Sequence, residues 1–164
     1  MKLRGPIIVF TLLLASLPAV AQNLDWGMVG SAGVPDNGNS LYTTSGPALF
    51  IQTNAIATMQ FRYPVTNTYG SATSKQPGWT SFSMTYSDNH STGSVVANLM
   101  ELDACTATER QICTLTSADG DGSTQCDVCS VSGIDFATHA YYVDVTIAKT
   151  DTPAAPKLYS LALY

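Results

Sequence analysis

The stretch GIDFATHAYYVDVTIAKT, residues 133–150, decides the fold of this chain. Within residues 140–148, two sets of side chains alternate. The sets are Tyr141, Val143, Val145 and Ile147 on one side and Tyr142, Asp144, Thr146 and Ala148 on the other. A period of two with aromatic and β-branched residues is typical of a strand that buries one face and exposes the other. We therefore expect a long central strand, preceded by a loop that Phe136 anchors.

Shorter segments with strand patterns run along the rest of the chain, separated by turns rich in Gly, Pro, Asn and Ser. We expect a strand over residues 55–63 that Pro64 ends, and a hairpin formed by residues 79–86 and 94–102. The count comes to about nine short strands without a convincing helix. This spacing predicts an all-β protein, an antiparallel β-sandwich of jelly-roll or immunoglobulin-like type.

Residues 1–21 have the pattern of a secretory signal peptide. Lys2 and Arg4 give a basic start, residues 7–17 are apolar, and the small residues of Ala19-Val20-Ala21 are typical of a cleavage site. An uncleaved membrane anchor is the alternative interpretation. With cleavage, residues 22–164 form a single domain that is secreted, periplasmic or on the cell surface. No later stretch is apolar enough for a membrane helix, so we expect no membrane insertion.

The charge of the chain argues against two classes of partner. The formal net charge is −5, and removal of Lys2 and Arg4 leaves five basic residues against twelve acidic ones. The basic residues form no cluster. Nucleic acids and anionic membrane surfaces attract clustered positive charge, so neither is an expected partner.

Four cysteines lie within 25 residues of one another, at Cys105, Cys113, Cys126 and Cys129. An even set in an exported chain predicts two disulfides. Of the three possible pairings we favour the nested one, Cys105–Cys129 with Cys113–Cys126. A redox-active Cys126-x-x-Cys129 pair and a zinc site are the alternatives, but neither the strand-and-loop surroundings nor the spacing favours them.

One loop resembles part of a calcium site. Asp119, Asp121 and Ser123 alternate as in the first half of a D-x-D-x-[DNS] loop, whose oxygens converge on one ion. The sixth position is Thr124 rather than Gly, and the twelfth is Ser130 rather than Glu. A solvated Gly-rich turn is the alternative, and no other cofactor is expected.

The sequence contains few groups suited to catalysis. Only His90 and His139 are of the residue type that most often serves as a general base, and neither a G-x-S-x-G elbow nor an H-E-x-x-H helix is present. We therefore expect a protein that is not an enzyme. Asn89-His90-Ser91 is also a glycosylation sequon, which matters only in a host that glycosylates.

Aromatic residues next to polar loops are the better functional signal. Trp26, Tyr69 and Trp79 lie in or beside segments rich in Gly, Ser and Asn. Exposed aromatic rings in such loops stack on the faces of sugars, so these three residues are the predicted ligand-binding set. The alternative is that Trp79 begins a strand and packs into the core, since tryptophan is highly buried on average.

Two longer runs carry a resemblance to a known group of proteins. These runs are MTYSDNHSTGSVVANLMELD, residues 84–103, and IDFATHAYYVDVTI, residues 134–147, followed by a short closing strand. Over about residues 45–164 the chain resembles small exported bacterial proteins of uncharacterised function. The shared motifs are structural, so the resemblance implies a secreted β-sandwich and no activity or site.

Two functions of different class follow from these patterns. The first is a secreted or cell-surface, non-catalytic structural or interaction domain of unknown ligand, with another protein as one candidate partner. The second is a carbohydrate-binding module that holds a surface glycan with Trp26, Tyr69 and Trp79. Binding to glycans distinguishes the two.

Overall fold

The structure is a computed structural model and describes residues 25–36, 38, 40–68 and 75–164. The predicted signal peptide lies outside these residues. The described residues form eleven strands and one 3-10 turn at Gly30–Ala32. The strands are β1 Trp26–Val29, β2 Val34–Pro35, β3 Tyr42–Ser45, β4 Ala48–Ile51, β5 Ala57–Val65, β6 Ser81–Ser87, β7 Gly93–Asp103, β8 Glu109–Thr116, β9 Gln125–Ser130, β10 His139–Lys149 and β11 Lys157–Leu163.

The strands form two antiparallel sheets, as the sequence predicts for a β-sandwich. One sheet has the order β2-β5-β10-β7-β8, and we call it the five-stranded sheet. The other has the order β3-β4-β11-β6-β9, with β1 also paired to β11, and we call it the six-stranded sheet. Within the described residues, no helix is long and apolar enough to cross a membrane.

Strand β10 is the centre of the five-stranded sheet. It pairs with β5 from Tyr141 to Lys149 and with β7 from His139 to Lys149. Val143, Val145 and Ile147 are fully buried, whereas the residues between them are partly exposed. The predicted alternation is confirmed, and it places one face of β10 in the core and the other toward solvent.

The core lies between the inner faces of the two sheets. The six-stranded sheet contributes Phe82, Met84 and Tyr86 from β6, all fully buried, and Leu158 and Leu161 from β11. Burial of each such side chain stabilises the fold by about 1.5–3 kcal/mol relative to its exposure. This apolar layer, rather than local propensity, holds the short strands together.

Several expectations about individual strands are wrong. Residues 79–86 and 94–102 do not form a hairpin, because β6 pairs with β11 and β9 while β7 pairs with β10 and β8. The chain crosses from one sheet to the other between them. The first described stretch forms two short strands, β1 and β2, with the 3-10 turn between them.

Pro64 does not end its strand. Strand β5 continues to Val65, with Pro64 opposite Tyr142 of β10. On its other side β5 pairs with β2 only at Phe61 and Arg62. Proline lacks an N–H group, and it is tolerated here because β2 does not extend as far as Pro64.

The disulfide pattern differs from the nested one. The structure has one bond, Cys113–Cys129, and Cys105 and Cys126 are exposed free thiols. Cys113 and Cys129 point inward from β8 and β9, edge strands of the two sheets, so the bond joins the sheets. Cys126 lies three residues before Cys129, and side chains three apart on a strand point to opposite faces. Cys105 lies in the turn after β7, away from both.

A buried contact joins the 3-10 turn to the five-stranded sheet. The Tyr63 hydroxyl donates a hydrogen bond to the carbonyl oxygen of Gly30 at 2.5 Å. Burial raises the pKa of the Tyr63 hydroxyl, so it is a donor at all ordinary pH values. A Cβ atom at Gly30 would meet the backbone carbonyl of Leu158, which leaves room only for glycine.

Candidate functional site

The outer face of the five-stranded sheet carries the side chains that alternate with the core. Strand β10 contributes Tyr142 and Asp144 to this face. Their register partners are Pro64 and Arg62 on β5 and Met100 and Asn98 on β7. An aromatic ring and a row of polar groups therefore meet at the middle of the sheet.

A groove with a volume of about 450 Å³ lies at one end of this face, and we call it the sheet-face groove. Its lining is Val34, Asp36, Arg62, Pro64, Leu102, Glu109, Ala140, Tyr141 and Tyr142. Apolar side chains thus surround two carboxylates and one guanidinium. Small-molecule sites have volumes of about 300–1,000 Å³ and combine apolar walls with a few polar groups in this way.

Tyr142 is the aromatic side chain exposed in the groove. Its hydroxyl donates a hydrogen bond to Oε1 of Glu109 at 2.8 Å. The Arg62 guanidinium lies over the ring, 4.7 Å from its centroid. Burial, and then the hydrogen bond to Glu109 and its charge, raise the pKa of Tyr142 to about 12. The ring is held in one orientation by contacts at its face and its tip.

Arg62 is shared between Tyr142 and Asp36. Its Nη2 donates to Oδ2 of Asp36 at 3.0 Å, with 48% and 31% of the two side chains exposed. Ion pairs as exposed as this one contribute about 0–1 kcal/mol to folding. The guanidinium can therefore exchange its partner with little loss of stability.

Asp144 lies directly opposite Arg62 on one side and Asn98 on the other. Its Oδ1 atom is buried and accepts no hydrogen bond from any described residue. Burial raises the pKa of the carboxyl group, and the nearby Arg62 charge only partly opposes this. A buried acceptor without a donor is unfavourable and rare in folded proteins.

The polar row continues to the edge of the sheet. Asn98 on β7 accepts a hydrogen bond at Oδ1 from the Thr114 hydroxyl of β8 at 2.9 Å. The row therefore runs across the sheet from Asp36 through Arg62 and Asp144 to these two residues. It offers both donors and acceptors within the pleat of a rigid sheet.

Two of the three predicted ligand-binding aromatic residues are in the core. Trp26 and Trp79 are each 2% exposed, so neither indole offers a face to solvent. Trp26 belongs to β1, which pairs with β11, and Trp79 packs edge-on against Phe136 at 6.0 Å between ring centroids. Tyr69 lies outside the described residues. Trp79 lies in the core, as the alternative interpretation of this residue expects.

Trp79 does border a smaller cavity of about 280 Å³ at one end of the sandwich. The cavity is also lined by Gln76, Val131, Ser132 and Ile134. Gln76 donates a hydrogen bond to Oδ2 of Asp135 at 3.0 Å, which ties the two loops together. Among the described residues, the indole of Trp79 lines this cavity and no charged side chain does.

The candidate calcium loop is a turn closed by its own hydrogen bonds. Oδ1 of Asp121 accepts a hydrogen bond from the Ser123 backbone N–H at 2.9 Å. Hydrogen bonds from Ser123 lower the pKa of Asp121. Across the part of the chain that the structure describes, no three histidine, cysteine or acidic side chains converge to hold a metal ion. Calcium binding by Asp119, Asp121 and Ser123 stays a prediction.

The two histidines make local contacts. His90 Nδ1 lies 2.8 Å from the Thr92 hydroxyl, and His139 Nδ1 lies 2.8 Å from the Thr138 hydroxyl. Nε2 of His139 lies 3.9 Å from Oε1 of Glu101. These contacts close turns and orient a carboxylate, and they do not position a base against a nucleophile.

Glu101 is the centre of a second polar cluster, under the end of β10. Its Oε1 accepts hydrogen bonds from Arg110, and its Oε2 accepts one from the Tyr141 hydroxyl at 3.0 Å. Burial, opposed in part by the backbone hydrogen bond at Asp135, raises the pKa of Tyr141 to about 12. All of these acceptors are occupied, so the cluster supports the groove rather than forming a site.

The sheet-face groove was not among the predicted sites. The alternation along residues 140–148 already places Tyr142 and Asp144 on the exposed face, and the pattern of β5 places Arg62 there too. What the sequence lacks is the strand order that brings them together. β5 and β10 are separated by 73 residues, 66–138, and their pairing is a tertiary feature.

Comparisons with known proteins give the following findings. No family model and no curated protein sequence matches the chain. Among solved structures, it is similar to the carbohydrate-binding module TmCBM61 in complex with β-1,4-galactotriose, at 10% identity and a TM-score of 0.47. That match covers 82% of this chain and 89% of the other.

Two further solved structures are similar. One is the CBM36-1 domain of a multidomain xylanase from the hindgut metagenome of Trinervitermes trinervoides, at 8% identity and a TM-score of 0.43 over 86% of this chain and 97% of that one. The other is a variant of a family 29 carbohydrate-binding module, at 12% identity and 0.40 over 85% and 92%. At these values the likeness concerns the sandwich and assigns no ligand. The resemblance to exported bacterial proteins stays a prediction.

Proposed function

We propose that this chain is an exported, non-catalytic carbohydrate-binding domain whose ligand lies in the sheet-face groove and on the polar row beside it. The observation that carries the proposal is the meeting of Tyr142, Arg62 and Asp144 on one exposed sheet face. The proposal moves the site from the loops, where Trp26 and Trp79 are buried, to the sheet.

The chemistry of a sugar matches these groups. A pyranose ring has C–H faces that pack on an aromatic ring and hydroxyl groups at its rim that both donate and accept hydrogen bonds. Tyr142 offers an amphipathic ring with a polar tip. Asp144 and Asn98 offer acceptors, and Arg62 offers donors in a planar fork.

The contacts of Arg62 suggest how a ligand enters. In the free protein the guanidinium covers one face of the Tyr142 ring and pairs with Asp36. Both contacts are partly exposed and weak, so a sugar can displace the guanidinium from the ring. The displaced group stays within the row and can bond to the ligand or to Asp144.

Two features support export. The predicted signal peptide directs the chain out of the cytoplasm, and a Cys113–Cys129 disulfide is stable in an oxidising compartment. Secreted, periplasmic and cell-surface locations all fit them.

A protein-interaction domain is the second candidate function. Among the described strands, β9 is one of the two edges of the six-stranded sheet, and Val128 on it is 51% exposed. An exposed edge with an apolar residue can pair with a strand of another protein. This candidate predicts binding that substitutions on β9 weaken and substitutions in the groove do not.

Glycan-array binding followed by titration calorimetry tests the proposal. Tyr142→Ala should weaken binding by about tenfold or more, the factor that 1.4 kcal/mol gives. The matched control is Phe50→Ala on the outer face of the six-stranded sheet, where Lys157 lies 5.6 Å from the ring centroid in a similar cation–π contact. Equal loss in both variants, or no glycan bound by the wild type, would contradict the proposal.

A further inference from the structure

The charged groups of the sheet-face groove and its polar row are unbalanced. Asp36 and Glu109 border the groove, and Asp144 lies in the row beside them. Arg62 is the one guanidinium among these groups. The nearby Arg110 is bonded to Glu101, and these two charges cancel. Three carboxylates against one cation give this surface a net negative charge, in a chain that is itself acidic.

The hydrogen-bonding groups of this surface are also unbalanced, with more carboxylate acceptors than donors. Ionised carboxylates only accept hydrogen bonds. Oδ2 of Asp36 and Oε1 of Glu109 each have a donor, Arg62 and Tyr142 respectively. Oδ1 of Asp144 has none from any described residue. A ligand that satisfies this surface must bring donors.

The two classes of glycan differ in what they bring. An uncharged glycan presents hydroxyl groups, and a hydroxyl that donates to a carboxylate makes a short, charge-assisted bond. The carboxylate of a uronic acid, or a sulfate, adds an acceptor and a negative charge next to three others. Like charges placed together in an interface oppose binding, and they do so more strongly when partly buried.

We infer that the ligand class of this site is an uncharged glycan, bound through hydroxyl donors to the carboxylates and discriminated against acidic polysaccharides. The inference rests on the proposed function and adds the substrate class to it. Asp144 is a specificity-determining residue in this account, because its buried Oδ1 atom lacks a donor from the described residues and a glycan that displaces Arg62 brings a hydroxyl to it. Asp36 and Glu109 supply the repulsion that excludes anionic chains.

The test is affinity electrophoresis with polymers matched in backbone and different in charge. The probes are hydroxyethylcellulose against carboxymethylcellulose, which share a glucan backbone, and fully methyl-esterified polygalacturonate against its free acid, which share a galacturonan backbone. We expect at least one neutral polymer to retard the wild-type protein and its acidic counterpart to do so at least tenfold less. Asp144→Asn should weaken the neutral interaction by about tenfold while the protein stays folded by circular dichroism.

The outcomes separate this inference from the proposed function. Equal or stronger retardation by the acidic polymers overturns the ligand class and leaves a carbohydrate-binding domain. Absence of retardation by every polymer overturns both. A second variant, Asp36→Asn with Glu109→Gln, should gain affinity for the acidic polymer at low salt, and a gain of less than twofold would contradict the electrostatic basis.

Discussion

Arg62 and Asp144 are direct partners on neighbouring antiparallel strands, yet the guanidinium bonds to Asp36 and leaves Oδ1 of Asp144 without a donor from the described residues. The arrangement is unfavourable for folding, since a buried unsatisfied acceptor costs about 1–3 kcal/mol. A group of this kind in a folded protein needs a specific explanation, and a functional role is one of the recognised explanations. The relationship leads to predictions for both stability and binding.

Asp144→Asn should stabilise the folded protein near neutral pH. Because burial raises the pKa of Asp144 above its ordinary 3.8, the folded state binds this proton more tightly than the unfolded state does. Stability therefore falls as pH rises from 3.8 through the folded pKa, and the loss is complete above it. Asparagine avoids that loss, and we expect a midpoint higher by about 2–4 °C at pH 7, equivalent to about 1 kcal/mol.

Thermal unfolding as a function of pH checks this prediction. The difference in thermal midpoint between the variant and the wild type should shrink as pH falls below the folded pKa of Asp144, and it should vanish near pH 3.5. Asp119→Asn, at an exposed residue in a turn, is the control and should change the midpoint little. A lower midpoint for Asp144→Asn at pH 7 would show that the carboxylate is satisfied in the folded state.

The central strand gives a second prediction. Val145 is fully buried, and Thr146 is partly exposed on the outer face. Val145→Asp should prevent folding, because burying an unpaired carboxylate costs more than the 5–15 kcal/mol margin of a typical domain. Thr146→Asp should fold with a modest loss. The soluble yield and the thermal midpoint of both variants test this prediction. If Thr146→Asp failed to fold while Val145→Asp folded, the register would be shifted by one residue.

How far the fold follows from the sequence depends on the strand. Strand β10 alternates without interruption, so its faces and the sandwich class are readable from residues 140–148. The pairing partner of β6 cannot be read from the sequence, because the polar turn at residues 87–93 fits a hairpin as well as a crossing between sheets. The entropy cost of closing the loop is similar for a hairpin and for a crossing between sheets. Only the packing of Phe82 and Met84 against the opposite sheet distinguishes the two connections.

The disulfide provides a third prediction. Peptide mapping without reduction should find Cys113 linked to Cys129 and two alkylated thiols, at Cys105 and Cys126. Loss of the bond in Cys113→Ala should lower the free energy of unfolding by about 3 kcal/mol, the value for a loop of this length. Cys126→Ser, on the exposed side of β9, is the control and should lower it by less than about 0.5 kcal/mol. Recovery of a Cys113–Cys126 peptide would contradict the arrangement of β8 and β9.

The hydrogen bond between Tyr63 and Gly30 provides a fourth prediction. Tyr63→Phe removes the donor from a buried carbonyl and should destabilise the protein by about 1–3 kcal/mol. Gly30→Ala should be worse, because the new methyl group meets the rigid backbone at Leu158. Urea unfolding measures both, and Gly38→Ala, where a Cβ meets nothing, is the control. Full stability of Gly30→Ala would show that the 3-10 turn packs elsewhere.

The candidate site was only partly predictable for a related reason. Sequence patterns identify exposed aromatic residues poorly, since Trp26 and Trp79 lie beside polar loops and still pack into the core. The residues on the exposed face of β10 could be predicted from the sequence. Whether they form a site depends on Arg62 and Asn98, which come from strands distant in sequence. Sites assembled across a sheet become visible only when the strand order is known.

The most direct test of the account is a heteronuclear NMR titration of the labelled protein with the neutral glycan that binds best. The account predicts that the shifted amides cluster around Arg62, Asn98, Tyr142 and Asp144 on the outer face of the five-stranded sheet. A cluster around the Trp79 cavity, at residues 76–80 and 131–134, would contradict it.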